Sequence, residues 1–329
     1  MILLYSQSED GHRRSYLDFF TRTFKGRRVT RGEVWLARQP VFFLMIEENF
    51  AFFVLAATFR AVLGRRTVGL LFRPLPALRG KGLRLVTKRT ILSWLKRMRS
   101  VATLAILPFS VEPEFARIAT GWIYDPQLWD LNEVDRAVGT VRPGDNSFLA
   151  PAIRQAGERK VVVAVGRMDR AKGFDSFARA YARSPDIRSH ALFMSCGAIN
   201  EGVARDRTML IEAGGIVYDR ELTDRELLEV YGAADVVWCC YAADYDQASG
   251  ILGRAVQLGL PVIVRAGSLI ERLCQEEAAP YLAIDPVRFN TLPAIARRTP
   301  DRGATLAAKM AQHSLSVLAR ALGVPPANA

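Results

Sequence analysis

The chain is poor in the residues that hold metals or staple small folds. Its four cysteines, Cys196, Cys239, Cys240 and Cys274, show no CxxC or Cys/His ligand spacing, which argues against a zinc ribbon and a disulfide framework. Cys239 and Cys240 adjoin within an apolar run and read as small buried hydrophobes. A reduced, cytoplasmic interior fits them. There are only three histidines, and no His/Asp/Glu cluster suggests a metal site. The most apolar stretch, Val41 to Leu63, is broken by Glu47, Glu48, Asn49 and Arg60. It therefore reads as strand, turn and buried helix rather than a membrane span. A short strand followed at once by Glu9, Asp10 and His12 is not the pattern of a secretory leader. Repeats and low-complexity tracts are absent. Acid is the scarcer charge, 33 Asp/Glu against 45 Lys/Arg, for a net +12 and a pI near 9.9. Such a balance calls for an anionic partner.

At 329 residues, half of them hydrophobic, the chain is globular and long enough for two α/β domains. The excess charge is uneven. By direct count residues 1–150 carry 23 Lys/Arg against 13 Asp/Glu, and residues 151–329 carry 22 against 20. The basic partner surface belongs to the first half.

The organising stretch is VVVAVGRMDRAKGFD, from Val161 to Asp175. Its five small or β-branched apolar residues predict a strand buried on both faces of a parallel sheet, ended by Gly166. Phe174, Phe177, Ala178 and Tyr181 then fall on one apolar helix face. A cationic loop leaving the carboxyl end of a parallel strand lies where open α/β sheets bind ligands. Arg167 could there fork onto a pyrophosphate, with Lys172 as a point charge. A solvated loop in a basic protein fits the same residues.

In the first half, strands are predicted at Met1–Ser6, Val41–Ile46, Thr67–Phe72 and Thr103–Leu107. A helix after Gly11 carries Tyr16, Phe19, Phe20 and Phe24. Its amino end places His12, Arg13 and Arg14 as an anion site, unless they are only a charged helix start, and Gly11, His12 and Arg13 are taken as the acceptor-side residues. From Arg84 to Arg99 a basic amphipathic helix, with Ile91, Leu92, Leu95 and Met98 as its apolar stripe and Trp94 among the cations, suits either an anionic bilayer or plain solvent. Nucleic acid is not expected as a partner, because no binding motif accompanies the charge. Pro143, Gly144, Asp145 and Asn146, then Gly157 to Lys160, place a boundary near 145–158, giving domains 1–150 and 151–329. The second half alternates strand and helix, with a capped helix from Thr223 (Glu226 three residues on) and a final amphipathic helix over 302–322 able to pack back on the first domain.

Three pieces taken together, VGRMDRAKGFDSF, LTDRELLEVYGAADVVW and SGILGRAVQLGLPVIV, resemble the retaining glycosyltransferases of the large nucleotide-sugar-using family 4, which have the GT-B fold. The resemblance covers roughly residues 160–275. It implies two Rossmann-like domains facing across a cleft, the second for the nucleotide-sugar donor and the first for a lipid-linked or glycan acceptor. It also implies a hexosyltransferase with no metal or cofactor, serving polysaccharide synthesis in the cytoplasm or peripherally on the inner face of the cell membrane. By that similarity Arg167 and Lys172 contact the donor diphosphate, Gly166 and Gly173 let the backbone pass close, and Ser249 and Gly250 offer backbone donors at a helix start. The family's two glutamates, eight positions apart, fall here on Asp246 and Arg254. Aspartate can still accept from a sugar, so the resemblance implies Asp246, with Arg167 and Lys172, as the catalytic residues. Arginine accepts nothing, so the usual ribose clamp is missing and Arg254 is expected on a phosphate or on Asp246. That departure keeps a second reading open, a non-catalytic GT-B-like binding protein or partner subunit. Nucleic-acid binding rests on charge alone, and another GT-B activity such as epimerisation is the remaining option.

Overall fold

The computed structural model describes residues 1–8, 12–80, 82–247 and 249–325, and of His12, Arg13, Pro76 and Ala77 the backbone only. Two compact units divide it: Met1–Pro126 with Lys309–Ala329, and Gln127–Ala308. The division thus falls earlier than residues 145–158. The helices Glu133–Thr140 and Ala150–Ala156 belong to the second unit, and the Pro/Gly stretch of 143–146 only joins them. Gly139 shows why: a Cβ there would lie 2.8 Å from Leu258. The last helix, Pro300–Leu322, changes unit at Lys309.

Each unit has one six-stranded, all-parallel sheet. In the first, β1 (Leu3–Tyr5), β2 (Arg27–Arg28), β3 (Val41–Phe43), β4 (Thr67–Leu71), β5 (Val101–Ala105) and β6 (Gly121–Trp122) lie in the order β2-β1-β3-β4-β5-β6. In the second, β7 (Lys160–Val165), β8 (Ala191–Cys196), β9 (Ile216–Tyr218), β10 (Val236–Cys239), β11 (Val262–Arg265) and β12 (Tyr281–Ile284) lie in the order β12-β11-β10-β7-β8-β9. The chain turns back between β1 and β3 in one sheet and between β7 and β10 in the other. Ligands of open α/β sheets gather beyond the carboxyl ends of strands at such reversals.

The expected pattern of the central stretch is realised. Val161 to Val165 are buried, and Phe174, Phe177, Ala178 and Tyr181 of the helix Phe174–Arg183 all face inward. Phe177 and Tyr181 stack on Phe193 of β8 at ring separations of 4.7 and 5.0 Å. Thr223 and Glu226 form the predicted capping box. The helix expected to be buried before Leu63, Phe50–Val62, buries only one side: Phe53, Ala56, Ala57 and Arg60 point inward, whereas Leu55 and Val62 are 62% and 83% exposed.

Arg60 is fully buried and meets no carboxylate among the described residues. Its guanidinium donates to Thr67 Oγ1 and to the carbonyls of Val34, Ala37, Gln39 and Arg66, all within 3.0 Å. It thereby ties the connection into β3 to the start of β4. Burial lowers its pKa to about 10, still charged at neutral pH. Removing it orphans several buried acceptors at once, so Arg60→Ala should cost at least ~3 kcal/mol. Urea unfolding measures this; a change within ~0.5 kcal/mol would contradict the role.

Glu47, on the turn after β3, accepts from the Arg73 N–H at 2.5 Å, while its second oxygen is buried without a hydrogen-bond partner. Burial raises its pKa above 4.5. A carboxyl whose folded pKa is raised favours the folded state while protonated. That advantage is lost as pH rises from the unfolded value through the folded one. Wild type should therefore lose urea stability relative to Glu47→Gln as pH rises above the ordinary carboxylate range. A stability gap that does not change with pH would contradict the burial.

Candidate functional site

The reversal between β7 and β10 brings two loops together. The first, after β7, folds tightly on itself: Asp169 Oδ1 accepts the Lys172 N–H at 2.9 Å, and Gly173 N–H reaches the Arg170 carbonyl at 3.0 Å. The second, after β10, is joined to it where Ala242 N–H donates to the Ala171 carbonyl at 3.0 Å. Gly173 sits between them at φ +71, and a Cβ there would lie 2.1 Å from the Cys240 carbonyl oxygen. Its glycine is thus required by the protein's own backbone. Gly166, at φ +85, has only Ile251 nearby, 3.7 Å from an added Cβ, so space remains beside it.

Lys172 is held in place by aromatic faces. Its Nζ lies 4.8 Å from the Tyr241 ring centre and 5.4 Å from that of Tyr245, a geometry that favours the cation electrostatically. The Tyr241 hydroxyl shares a 2.6 Å hydrogen bond with Ser249 Oγ. Ser249 in turn caps the helix Gly250–Gln257, accepting from Ile251 N–H. Arg167 is exposed and has no hydrogen-bond or ion-pair partner among the described residues. Beside these groups a cavity of about 300 Å³ is lined by Arg170, Gly173, Asp175, Ser176, Cys240 and Asp244, among others. It opens at the start of the helix Phe174–Arg183, where the carboxylates of Asp175 and Asp244 oppose the pull of backbone N–H groups and the helix dipole on an anion, and neither Arg167 nor Lys172 lines it. The geometry thus joins Gly166, Lys172, Gly173, Ser249 and Gly250 around one sheet edge, with Arg167 on the same loop.

Asp246 and Arg254 are placed differently from the sequence expectation. Both Asp246 oxygens accept the Leu269 N–H, at 2.9 and 3.0 Å, and Arg265 pairs with one of them at 3.2 Å. The carboxylate expected on a sugar is thus spent capping the helix Leu269–Glu276. Arg265 also donates to the Tyr241 carbonyl at 3.1 Å, so the pair fastens the loop after β10. Arg254 meets neither Asp246 nor open space. It forks onto Asp130, one guanidinium nitrogen on each carboxylate oxygen. Gln257, one turn on, completes the lock: its Nε2 donates to the Gln127 carbonyl at 2.7 Å and its Oε1 accepts Leu131 N–H at 3.0 Å. The segment 127–131 is thereby pressed on this helix, and glycines permit it. A Cβ on Gly250 would fall 1.8 Å from Gln127 Oε1, and one on Gly253 would fall 2.3 Å from the Gln127 carbonyl oxygen.

Gly11 lies outside the described residues, as do the side chains of His12 and Arg13. The four cysteines are buried and free, and burial pushes the Cys239 and Cys240 thiols up to about 12. They are therefore neutral and no nucleophiles at physiological pH. Sequence reasoning missed three contributors: Tyr241 and Tyr245, which seat Lys172, and Trp238, whose indole N–H is buried without a hydrogen-bond partner, 3.4 Å from where a Cβ of Gly173 would be. Only the aromatic spacing of YAADY, just after a predicted strand, hinted at the tyrosines.

No family model matches the chain, and no curated protein matches it. Among solved structures it is similar to HepE of Anabaena in complex with UDP, at 14% identity and a TM-score of 0.69, over 97% of this chain and 99% of that one. The sucrose-phosphate synthase of Thermosynechococcus elongatus is 16% identical, with a TM-score of 0.53 over 85% of this chain and 74% of that one. A UDP-forming trehalose-phosphate synthase of Burkholderia xenovorans is 14% identical, with a TM-score of 0.54 over 86% and 73%. These likenesses extend over both units, and they show the fold: this chain has the two-domain α/β architecture of GT-B proteins.

Proposed function

We propose that this protein is a glycosyltransferase that takes a sugar from a nucleotide donor and passes it, with retention, to a glycan or lipid-linked acceptor. The observation that carries the reading is the cationic loop after β7. It presents Arg167 unpaired among the described residues and Lys172 seated on two tyrosines, at the strand reversal. The names of the similar structures support it, with UDP in HepE and UDP formation by the trehalose-phosphate synthase. In this reading the two cations neutralise charge that develops on the leaving diphosphate, where fixed positive groups lower the barrier most. Gly166 leaves room for the phosphates, and the N–H groups near Ser249 and Gly250 face the same anion. Asp246 is a positioning residue that fixes the loop through Leu269 and Arg265. Arg254 has the same kind of role, through Asp130. The reaction so described needs no metal or cofactor, and the donor is a co-substrate. In the first unit Gly11, His12 and Arg13 are assigned to the acceptor, and the basic segment from Arg84 to Arg99 to an anionic membrane surface on the cytoplasmic side, as suits polysaccharide synthesis.

A second reading, binding without transfer, is favoured by one observation: the Asp246 and Arg254 side chains are both already engaged within the protein. Incubation with UDP- and GDP-sugars separates the two. Sugar release or transfer supports the enzyme, and nucleotide binding with neither supports the binding protein.

Arg167→Ala and Lys172→Ala should each weaken nucleoside diphosphate binding by ~1.5–3 kcal/mol, roughly ten- to a hundredfold, in folded protein. Titration calorimetry reads this, and unchanged affinity in both variants would remove the site assignment.

Arg254→Glu sets a second carboxylate against Asp130 in a partly buried position, and should lower stability by ~3 kcal/mol. Combining it with Asp130→Arg should recover most of that loss. Should Arg254→Glu leave stability unchanged and weaken diphosphate binding instead, Arg254 is a phosphate ligand and not a strut.

A further inference from the structure

The solvent side of the helix Phe50–Val62 is apolar from end to end. Its only polar side chains are taken up within the protein: Thr58 donates to the Val54 carbonyl, and Arg60 is buried on its five acceptors. What remains outward is Ala51, Leu55, Phe59 and Val62, with Phe59 45% exposed in addition to the values above. Leu63 at 46% and Leu36 at 80% extend the stripe, and Trp35 joins it with its ring 5.5 Å from that of Phe59. Exposed large hydrophobic side chains gathered in this way mark an interaction face, whereas single ones are ordinary.

The surrounding segment is cationic, although Arg79 is paired with Glu112 at 2.6 Å. By direct count, residues 49–111 hold 12 Lys/Arg and no Asp or Glu. Arg65 donates to the carbonyls of Trp35 and Leu36 at the stripe itself. At the end of the helix an open cavity of about 620 Å³ is lined by Thr58, Val62, Arg66, Met98, Arg99 and Ser100, among others. Arg99 there is exposed, with no hydrogen-bond or ion-pair partner among the described residues. The cavity lies at the amino ends of β4 and β5, the end of this sheet away from the carboxyl edge.

The basic helix of the sequence reading supplies only Leu83 and Trp94, 84% and 45% exposed, to the apolar part of a membrane contact. Leu92 and Leu95 of the helix Leu83–Leu95 are fully buried, and Arg89 and Lys96 donate to the carbonyls of Leu78 and Ala116. An apolar stripe beside an exposed cation with no partner among the described residues, Arg99, matches an anionic bilayer. Apolar side chains enter the boundary between headgroups and acyl chains, and arginines meet phosphate. Among the described residues no helix is long and apolar enough to cross a membrane, so the contact is with one surface.

We propose that the helix Phe50–Val62 docks this protein on anionic lipid, with Leu55, Phe59 and Val62 entering the headgroup boundary and the Arg66–Arg99 cavity receiving a lipid phosphate. This deepens the membrane part of the reading above and is independent of the donor site. The test is co-sedimentation of the intact protein with phosphatidylcholine vesicles, with and without phosphatidylglycerol. It compares wild type, Leu55→Asp/Val62→Asp and Arg99→Glu, each checked for folding by circular dichroism and for nucleotide binding. Both mutated leucine and valine positions are exposed, so the variants should fold. Wild type is expected to bind only the phosphatidylglycerol vesicles. The double variant should bind at least about tenfold more weakly, and Arg99→Glu should also bind more weakly and lose the phosphate-dependent part. Equal binding to both vesicle types, no binding by wild type, or a double variant that binds like wild type would overturn the proposal. So would a wild-type dimer that the double variant dissolves, since a second copy would then cover the face. Wild type that binds the phosphatidylglycerol vesicles but no nucleotide would count against the donor site alone.

Discussion

Residue 173 has space for a hydrogen and nothing larger, and the geometry of the candidate site depends on that. With the Cys240 carbonyl oxygen 2.1 Å from where a Cβ would stand, any side chain would push the loop after β7 away from the loop after β10. The left-handed backbone of Gly173 also lets the helix Phe174–Arg183 begin immediately, while the loop before it still closes through Asp169. From this contact follow the Ala242–Ala171 hydrogen bond and the seating of Lys172 on Tyr241 and Tyr245. Tyr241 carries the arrangement on to Ser249 and the helix behind it. A conformational requirement at one position thus sets where a cation and a helix start stand relative to each other.

What the sequence made legible was local. Five β-branched or small apolar residues, a glycine and an i, i+3, i+4, i+7 face are written within a few positions, so the strand β7 and the helix after it could be read directly. The capping box of Thr223 and Glu226 is of the same kind. Partners far apart in the chain were not legible. Asp130 lies 124 positions from Arg254, and Leu269 lies 23 from Asp246, and no periodicity encodes such pairs. A motif could say that residue 246 is acidic and residue 254 basic, but not that each had already found its counter-group. Composition misled at 143–146 as well, where proline and glycine turn between two helices of one unit rather than divide the chain.

Net charge needs similar discrimination. Several of the cations behind the +12 are structural. Arg60 gathers carbonyls in the first unit. Arg298 does the same in the second, donating to the carbonyls of Leu258, Thr140, Gly232, Gly139 and Tyr231, and burial lowers its pKa to about 10. Most of those carbonyls lie at helix ends, where the dipole adds to the attraction. Cations consumed in this way attract no partner. Cations with no such partner among the described residues, Arg167 in one unit and Arg99 in the other being two of them, are therefore more informative than the total.

The central claim is that the loop after β7 holds the diphosphate of a nucleotide. Calorimetric titration of the intact protein with UDP, GDP and ADP, each beside its nucleoside, tests it most directly. The account predicts that one diphosphate binds at least roughly tenfold more tightly than its nucleoside, and that rising salt narrows the difference. A nucleoside that binds as well as its diphosphate, or no binding by any of the three diphosphates, would contradict it.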